Sequence, residues 1–564
     1  MLFVLQGLTF LGLALLFLGE LGISIGHLKW SAPTVPGIVI ALIVVCGLGQ
    51  WLGARWTAPY RSFLRDLFAS VLKRNSRSPW RLAFVLLSAF SLGIFLSNLA
   101  RFWSFGTQIF DMAYTHAAVF FPWRDGHLLH APLSPLQSFL VDHFAPSLLI
   151  PGAFFQFFHS SELVLLFQEL CVAGGTALLL RFGPLEERPR KAAFAVFLLF
   201  CSRAIFREAI DFREDHFAFF ALSMVLLGLY RRNAWVFFPA LLVYLGCKEH
   251  TPLVALGVLF PILWQGGNDQ FSISKRRIWA IATLGLILGY GVLIYLKIIP
   301  ALQAPLGQSI GQINQRLGHL GVSISEIALS PFLKPGIFWP WLLKRMGSLS
   351  SLRYLVFLLL PFAVFFWRAP VWVLAAAVGI FGNLIPERPE QRSFHWHYEL
   401  AFAPFLIMGL LDGLRNFRPT RQLKWALVLG LVLSLKWPAA GVAQRNWTIT
   451  SIRDSLALRR LPCESIALGA NSATVSQLAH CPQIRWMKPG DCSNPAAWWQ
   501  VLRSDPGPAG MPGESIRDAT ALVLDWSVEC DAALGTFLKS QGAQISWTSP
   551  SGRFQRLEGF GKAD

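Results

Sequence analysis

Apolar segments of membrane-crossing length recur along this chain, and the gaps between them sort by charge. Lys and Arg fill alternate gaps, while Asp, Glu and His collect in the others. Segments of roughly 20 apolar residues cross a bilayer as helices, because only a helix or a closed barrel satisfies its backbone in lipid. The pattern therefore restricts the chain to an α-helical polytopic membrane protein. Basic gaps run from Arg55 to Arg81, then through Arg188, Arg190 and Lys191, Arg231 and Arg232, Lys275 to Arg277, Arg368, and Arg415 to Lys424. The positive-inside rule places these in the cytoplasm. Gaps 101–145, 202–215, 248–250, 300–351 and 385–397, and everything after Val442, then face outside.

The candidate crossings are Leu2 to Leu18, Val35 to Leu52, Leu82 to Leu99, Leu163 to Phe182, Ala192 to Phe206, Phe217 to Tyr230 and Ala234 to Cys247. Pro252 to Trp264, Ile278 to Ile299, Leu352 to Trp367, Val371 to Ile385, Tyr398 to Leu411 and Trp425 to Val442 follow. About thirteen crossings put the N-terminus in the cytoplasm and the C-terminus outside a cell's inner (plasma) membrane. The first segment has no basic flank and reads as an uncleaved anchor. Pro146 to Phe158 carries Pro151 and Gly152 and would break the charge alternation as a crossing, so it reads as an interfacial or re-entrant helix. A composition of 54% hydrophobic and 14% charged residues agrees. The net charge of +18 sits largely in cytoplasmic gaps, so topology explains it and no nucleic-acid partner is implied.

Residues 1–442 form the transmembrane domain, with a large outside loop at 101–145, and 443–564 read as a soluble extracytoplasmic α/β domain. Strands are expected at Ser465 to Gly469 and Ala521 to Asp525, helices at Ala473 to Ala479 and Ala532 to Gln541, and a hairpin at Gln544 to Trp547 and Phe554 to Leu557. Cys463, Cys481, Cys492 and Cys530 lie in this domain, without zinc-type spacing, and suit one or two disulfides. No nucleophile elbow, phosphate loop or dinucleotide fingerprint occurs there, which leaves a lid or acceptor-binding role.

The chemistry concentrates on the outside gaps. In the loop at 101–145, Asp111 is a candidate general base, since partial desolvation at the membrane surface raises a carboxylate's pKa; a helix cap is the other reading of the same residue. His127 and His130, three apart on an expected helical face, with Asp142 and His143, outline a divalent-metal set or hydrogen-bonded surface histidines. Arg207, Glu208, Asp211, Arg213, Glu214, Asp215 and His216 form either a phosphate clamp with carboxylates that orient a sugar or metal, or a salt-bridge network at helix ends. Lys248, Glu249 and His250 share a tight turn where Lys248 either neutralises a lipid phosphate or snorkels. Arg392, His395, His397 and Tyr398 add phosphate or hydroxyl contacts, or an interfacial belt with Trp396.

The order of Phe110-Asp111, Asp142-His143-Phe144-Ala145-Pro146, Asp211-Phe212, Lys248-Glu249, His397-Tyr398 and Ala521-Leu522-Val523-Leu524-Asp525 resembles domain-of-unknown-function family 2079 of predicted membrane proteins. That family looks like the GT-C class of integral-membrane glycosyltransferases, which use polyprenyl-phosphate sugar donors and a catalytic carboxylate in the first large outside loop. The resemblance implies that Asp111 is the base, that Lys248 with Arg207 and Arg213 holds the donor phosphate, and that His143, Asp215 and Glu249 support the site, with His397 and Tyr398 alongside. It implies a glycan, lipid or protein acceptor outside the bilayer. The chain departs from the family at Phe212-Arg213-Glu214-Asp215, where the family tends to have Phe-His-Pro-Glu; the acidic position remains and the His does not. Two other classes stay open: a lipid or polysaccharide transporter or flippase, and a non-catalytic membrane assembly protein.

Overall fold

The computed structural model describes residues 80–107, 112–132, 134–200, 213–264, 273–306, 317–321, 324–359, 362–386, 397–415, 417, 448–463, 466–468, 472–481, 485–486, 494–496, 499 and 521–559. The expected crossings at Leu2 to Leu18, Val35 to Leu52 and Trp425 to Val442 lie outside these residues.

Apolar length gives the long helices. α1 spans Trp80–Trp103. The large loop that follows carries α2 (Tyr114–Phe120), a two-stranded ribbon of β1 (Trp123–Arg124) and β2 (His127–Leu128), α3 (Phe139–Asp142) and α4 (Leu149–Phe155). α5 spans Ser161–Phe182 and starts on an N-cap, Ser160, whose side chain accepts from Leu163 N. α6 (Pro189–Phe200), α7 (Glu214–Arg231) and α8 (Ala234–Leu245) complete the first bundle. α9 (Thr251–Ala255) and α10 (Leu259–Trp264) come next, and α11 (Ile273–Leu293) runs through one π-helical turn into α12 (Ile299–Gln303). α13 (Ile324–Leu333), α14 (Pro335–Met346), α15 (Leu349–Leu359), α16 (Ala363–Phe366), α17 (Pro370–Leu384) and α18 (Ala403–Arg415) finish the apolar part.

Among the described residues, three helical stretches are long and apolar enough to cross a membrane: Trp80–Trp103, Ser161–Phe182 and Ile273–Gln303. Several other expected crossings are shorter or segmented. The stretch from Leu352 to Trp367 is described as two helices, α15 ending at Leu359 and α16 beginning at Ala363. Pro146 to Phe158 forms a 3-10 turn and the seven-residue α4, in keeping with a segment that does not cross.

The main core joins α1, α5, α6, α7, α8, α17 and α18 through residues such as Leu179, Leu222, Phe219, Phe237 and Phe405, all fully buried. α5 and α7 approach closely at Gly175, where a Cβ would lie 2.7 Å from Ser223 Oγ. Inside this bundle Glu169 accepts from Asn98 Nδ2 at 2.9 Å and Gln168 Nε2 at 3.2 Å, an interhelical polar contact between α1 and α5.

After α19 (Ile449–Leu458) the chain builds β3 (Ile466–Leu468), α20 (Ser472–Gln477), β4 (Arg485–Trp486), β5 (Ala521–Asp525), α21 (Glu529–Ser540), β6 (Gln544–Thr548) and β7 (Phe554–Glu558). The sheet order is β4-β3-β5-β7-β6, with β3 parallel to both β4 and β5, and β7 antiparallel to both β5 and β6. Period-two alternation places Leu522 and Leu524 against Leu534 and Leu538 of α21, while Val523 faces the opposite cluster. That cluster includes Phe105, Leu129 and Phe139 of the large loop, so one face of the sheet rests on it. The Phe105 and Phe554 rings lie 4.7 Å apart, Gln477 Nε2 donates to Phe102 O at 2.6 Å, and Arg459 Nη1 lies 2.5 Å from Glu162 Oε1. Cys463 and Cys481 form a disulfide, and Cys530 is also disulfide-bonded.

Candidate functional site

Two helix ends and one loop bring the ionisable residues together. Arg213 caps α7 in an extended conformation, and Glu214 and Asp215 occupy its first turn, where the helix dipole favours carboxylates. Both are fully buried. The turn between α8 and α9 delivers Lys248 to them: its Nζ lies 2.6 Å from Glu214 Oε1 and 2.7 Å from Asp215 Oδ2. Burial alone would lower the Lys248 pKa, but Asp215, Glu214 and Glu249 hold it well above the ordinary value. The ammonium is thus charged at any physiological pH. Nζ donates to Asp215 Oδ2, while Glu214 pairs with it by charge. Tyr398 presents its ring 5.8 Å from the same Nζ, and His250 Nε2 stands 4.0 Å from Asp215 Oδ1.

The adjacent residue turns the other way. Glu249 Oε1 lies 3.5 Å from His143 Nδ1, and His143 Nε2 lies 3.9 Å from Asp142 Oδ2, so the imidazole stands between two carboxylates. Burial pushes the Glu249 carboxyl up, but His143 and Lys248 more than offset this and hold it below the usual carboxylate range. Tyr295, from the π turn that follows α11, donates its hydroxyl to Glu249 O. The loop carrying His143 is docked beside this turn by Ser147 N to Gly246 O at 2.9 Å and Ser147 Oγ to Val243 O at 2.6 Å. Gly246 permits that approach, since a Cβ there would lie 2.5 Å from Ser147 Oγ and 3.1 Å from Tyr290 OH. Gly246→Ala should cost about 1–3 kcal/mol of stability through this overpacking. Thermal melting in detergent checks it, and adding Ser147→Ala should recover part of the loss.

His143 gives the cluster a pH dependence. Burial pulls the imidazole down, but Asp142, Glu249 and Glu214 raise it further, so its pKa lies above the ordinary 6.5. A raised folded pKa means that the charged imidazole contributes stability fully present below about pH 6.5 and lost as pH rises through the folded value. Melting temperatures between pH 6 and 9 should therefore fall more steeply for the native chain than for His143→Gln. Parallel curves would show that the imidazolium adds nothing.

Of the residues singled out from sequence, Arg213, Asp215, Lys248, Glu249, His143 and Tyr398 converge on this region. Arg213 is buried beside Glu214 and Lys248. Asp111 and Arg207 lie outside the described residues, as does the side chain of His397. The expectation that His127 and His130 share a helical face is not met: His127 is in β2, and His130 follows Leu129, whose φ is +48°. Their rings stand 6.2 Å apart, and the set with Asp142 and His143 does not close. Among the described residues, Cys463, His480 and Cys481 do come close enough to hold an ion. There the two sulfurs are joined in the disulfide and offer no thiolate.

Sequence reasoning gave Glu214 no role of its own, although it pairs with Lys248 beside Asp215. Its position beside Asp215 at the start of an apolar segment was the available signal. Tyr295 and the Ser147–Gly246 junction left no such signal, because neither is unusual in its local sequence. Glu169 was also passed over, although a carboxylate within an apolar segment is a signal by itself.

A family model described as a predicted membrane protein, DUF2079, matches residues 81–467. The chain belongs to this family. In this DUF2079 protein the match takes in α1 to α19, and with them every member of the ionic cluster. No curated protein and no solved structure matches the chain. Membership establishes a membrane protein in contact with a lipid bilayer.

Proposed function

We propose that this DUF2079 protein is a GT-C-like integral-membrane glycosyltransferase that moves a sugar from a polyprenyl-phosphate donor to a glycan, lipid or protein acceptor outside the bilayer. The observation that carries the reading is the buried Lys248–Glu214–Asp215 cluster, held at helix ends beside the large loop that contains Asp111. Asp215, which accepts from the ammonium, and Glu214, which pairs with it, fix the charge in place for a phosphate oxygen. Arg207 and Arg213 add positive charge for the same group. Asp111 takes the proton of the acceptor hydroxyl as its oxygen bonds to the anomeric carbon, and the carbon–phosphate oxygen bond breaks on the opposite face. The released lipid phosphate carries away the electron pair beside Lys248. With one base and no covalent intermediate, the reaction inverts the anomeric centre. His143, Asp215 and Glu249 orient the site, and His397 and Tyr398 contact donor hydroxyls or phosphate.

In this reading about thirteen helices cross a cell's inner membrane, with the N-terminus in the cytoplasm and residues 443–564 outside as a lid or acceptor platform. The packing of Phe554 on Phe105 supports the lid, since it seats the sheet a few residues before Asp111. Proteoliposomes containing the protein should transfer radiolabelled sugar from a polyprenyl-phosphate donor and not from a nucleotide sugar alone. Absence of product across a panel of donor sugars, with lipid crossing the bilayer, would replace the reading with a flippase. One observation favours that second reading: Glu169 lies inside a spanning helix, held only by amide donors among the described residues, as ionisable groups on transport paths do.

A further inference from the structure

The segment 324–346 exposes more apolar surface than its place in the sequence suggests. α14 has no buried residue. On α13 and α14 together, Phe332 is 80% exposed and Leu343 69%, and Leu333, Ile337 and Trp339 are also exposed. At about 100° per residue, Trp339, Leu343, Pro340 and Ile337 fall within one arc of about 160°, and Lys344 joins that arc in the last turn. Water would not tolerate such a face, yet a 12-residue helix is only about 18 Å long and cannot cross a hydrocarbon core of about 30 Å. Charge points to what covers it. Lys334 pairs with Glu326 at 3.7 Å, and from there to Ser351 the chain adds Lys344 and Arg345 and not one carboxylate. Exposed apolar and aromatic side chains beside basic residues suit the boundary between acyl chains and phosphate headgroups.

We propose that α13 and α14 lie in the plane of the bilayer as an interfacial paddle that docks on anionic phospholipid. Phe332, Leu333, Ile337, Trp339 and Leu343 enter the acyl region, and Lys344 and Arg345 meet lipid phosphates. Residues 324–346 are thereby a membrane-surface element rather than an aqueous loop. The proposal is independent of any transferase activity.

The full-length protein should be reconstituted in phosphatidylcholine liposomes containing a trace of phosphatidylglycerol or phosphatidylcholine that carries the same photoactivatable acyl chain. Adducts are then mapped by mass spectrometry. The expected result is labelling between Phe332 and Leu349 by both probes, several-fold stronger from phosphatidylglycerol. The double variant Lys344→Gln, Arg345→Gln should keep the adducts and lose the preference. Labelling of α11 in the same sample reports that the protein is folded and embedded. Labelled α11 with an unlabelled 332–349 segment would overturn the proposal, and equal labelling by both probes would overturn its anionic component. Phe332→Ser should weaken labelling of its own segment and leave α11 unchanged; loss at both places would mean that the paddle is required for folding and not a peripheral dock.

Discussion

Lys248→Met is expected to destabilise the folded protein by about 3–5 kcal/mol, because it removes the ammonium that pairs with two buried carboxylates and leaves only Arg213 near Glu214. The geometry makes this more severe than the loss of an ordinary ion pair. Glu214 and Asp215 are adjacent on one helical turn, fully buried, and both within 2.7 Å of the same ammonium. Removing the positive charge therefore costs the desolvation of both. Two controls separate this from lost packing. Lys248→Arg retains the charge and should recover part of the stability, and Glu214→Gln with Asp215→Asn in the Lys248→Met background should recover more. Thermal melting of the detergent-solubilised protein gives the ranking. A Lys248→Met chain that melts with the native one would show that the cluster is not closed in solution.

On the proposed transferase reading, Asp111→Asn is expected to lower the sugar-transfer rate by about 10²–10⁴-fold, the range for loss of a general base, while donor binding stays near native. Asp111 itself is outside the described residues, but Met112 next to it is buried with Phe102 and Leu165, at the end of α1 and the start of α5. His116, four residues further on, holds Ser161 Oγ through Nδ1 at 2.9 Å. Both contacts tie the segment after Asp111 to the bundle, so an isosteric change at 111 should report on chemistry and not on folding. Single-turnover transfer with saturating donor, alongside donor binding, separates the two effects. Undiminished turnover would keep the transferase and remove Asp111 as its base.

Much of this protein was legible before its fold. Apolar length gave α1, α5 and the Ile278 to Ile299 part of the Ile273–Gln303 helix, because a lipid-facing segment must satisfy its own backbone. Local turn chemistry and period-two alternation gave the hairpin of β6 and β7 and the strand Ala521–Asp525. Charge composition gathered Arg213, Glu214, Asp215, Lys248 and Glu249 near helix ends, since charge is tolerated there and not in mid-membrane. What the chain by itself determined was therefore which segments are apolar, which elements are local, and which gaps carry chemistry.

Tertiary structure decided the partners. Lys248 is 33 residues from Asp215 and Glu249 more than 100 from His143, and no periodicity encodes either pairing. They meet because Gly246 lets Ser147 approach and the α8–α9 turn faces the start of α7. The same holds for His127 and His130, whose spacing suggested one helical face until left-handed residues at Asp125 and Leu129 placed His127 in β2 and His130 in a separate bridge with Ser138. It holds again for the α/β sheet, whose inner face is completed by Phe105 and Leu129 from the large loop. Local propensity acts over a few residues, whereas buried charge and apolar area are satisfied by whichever distant segment the whole packing brings near.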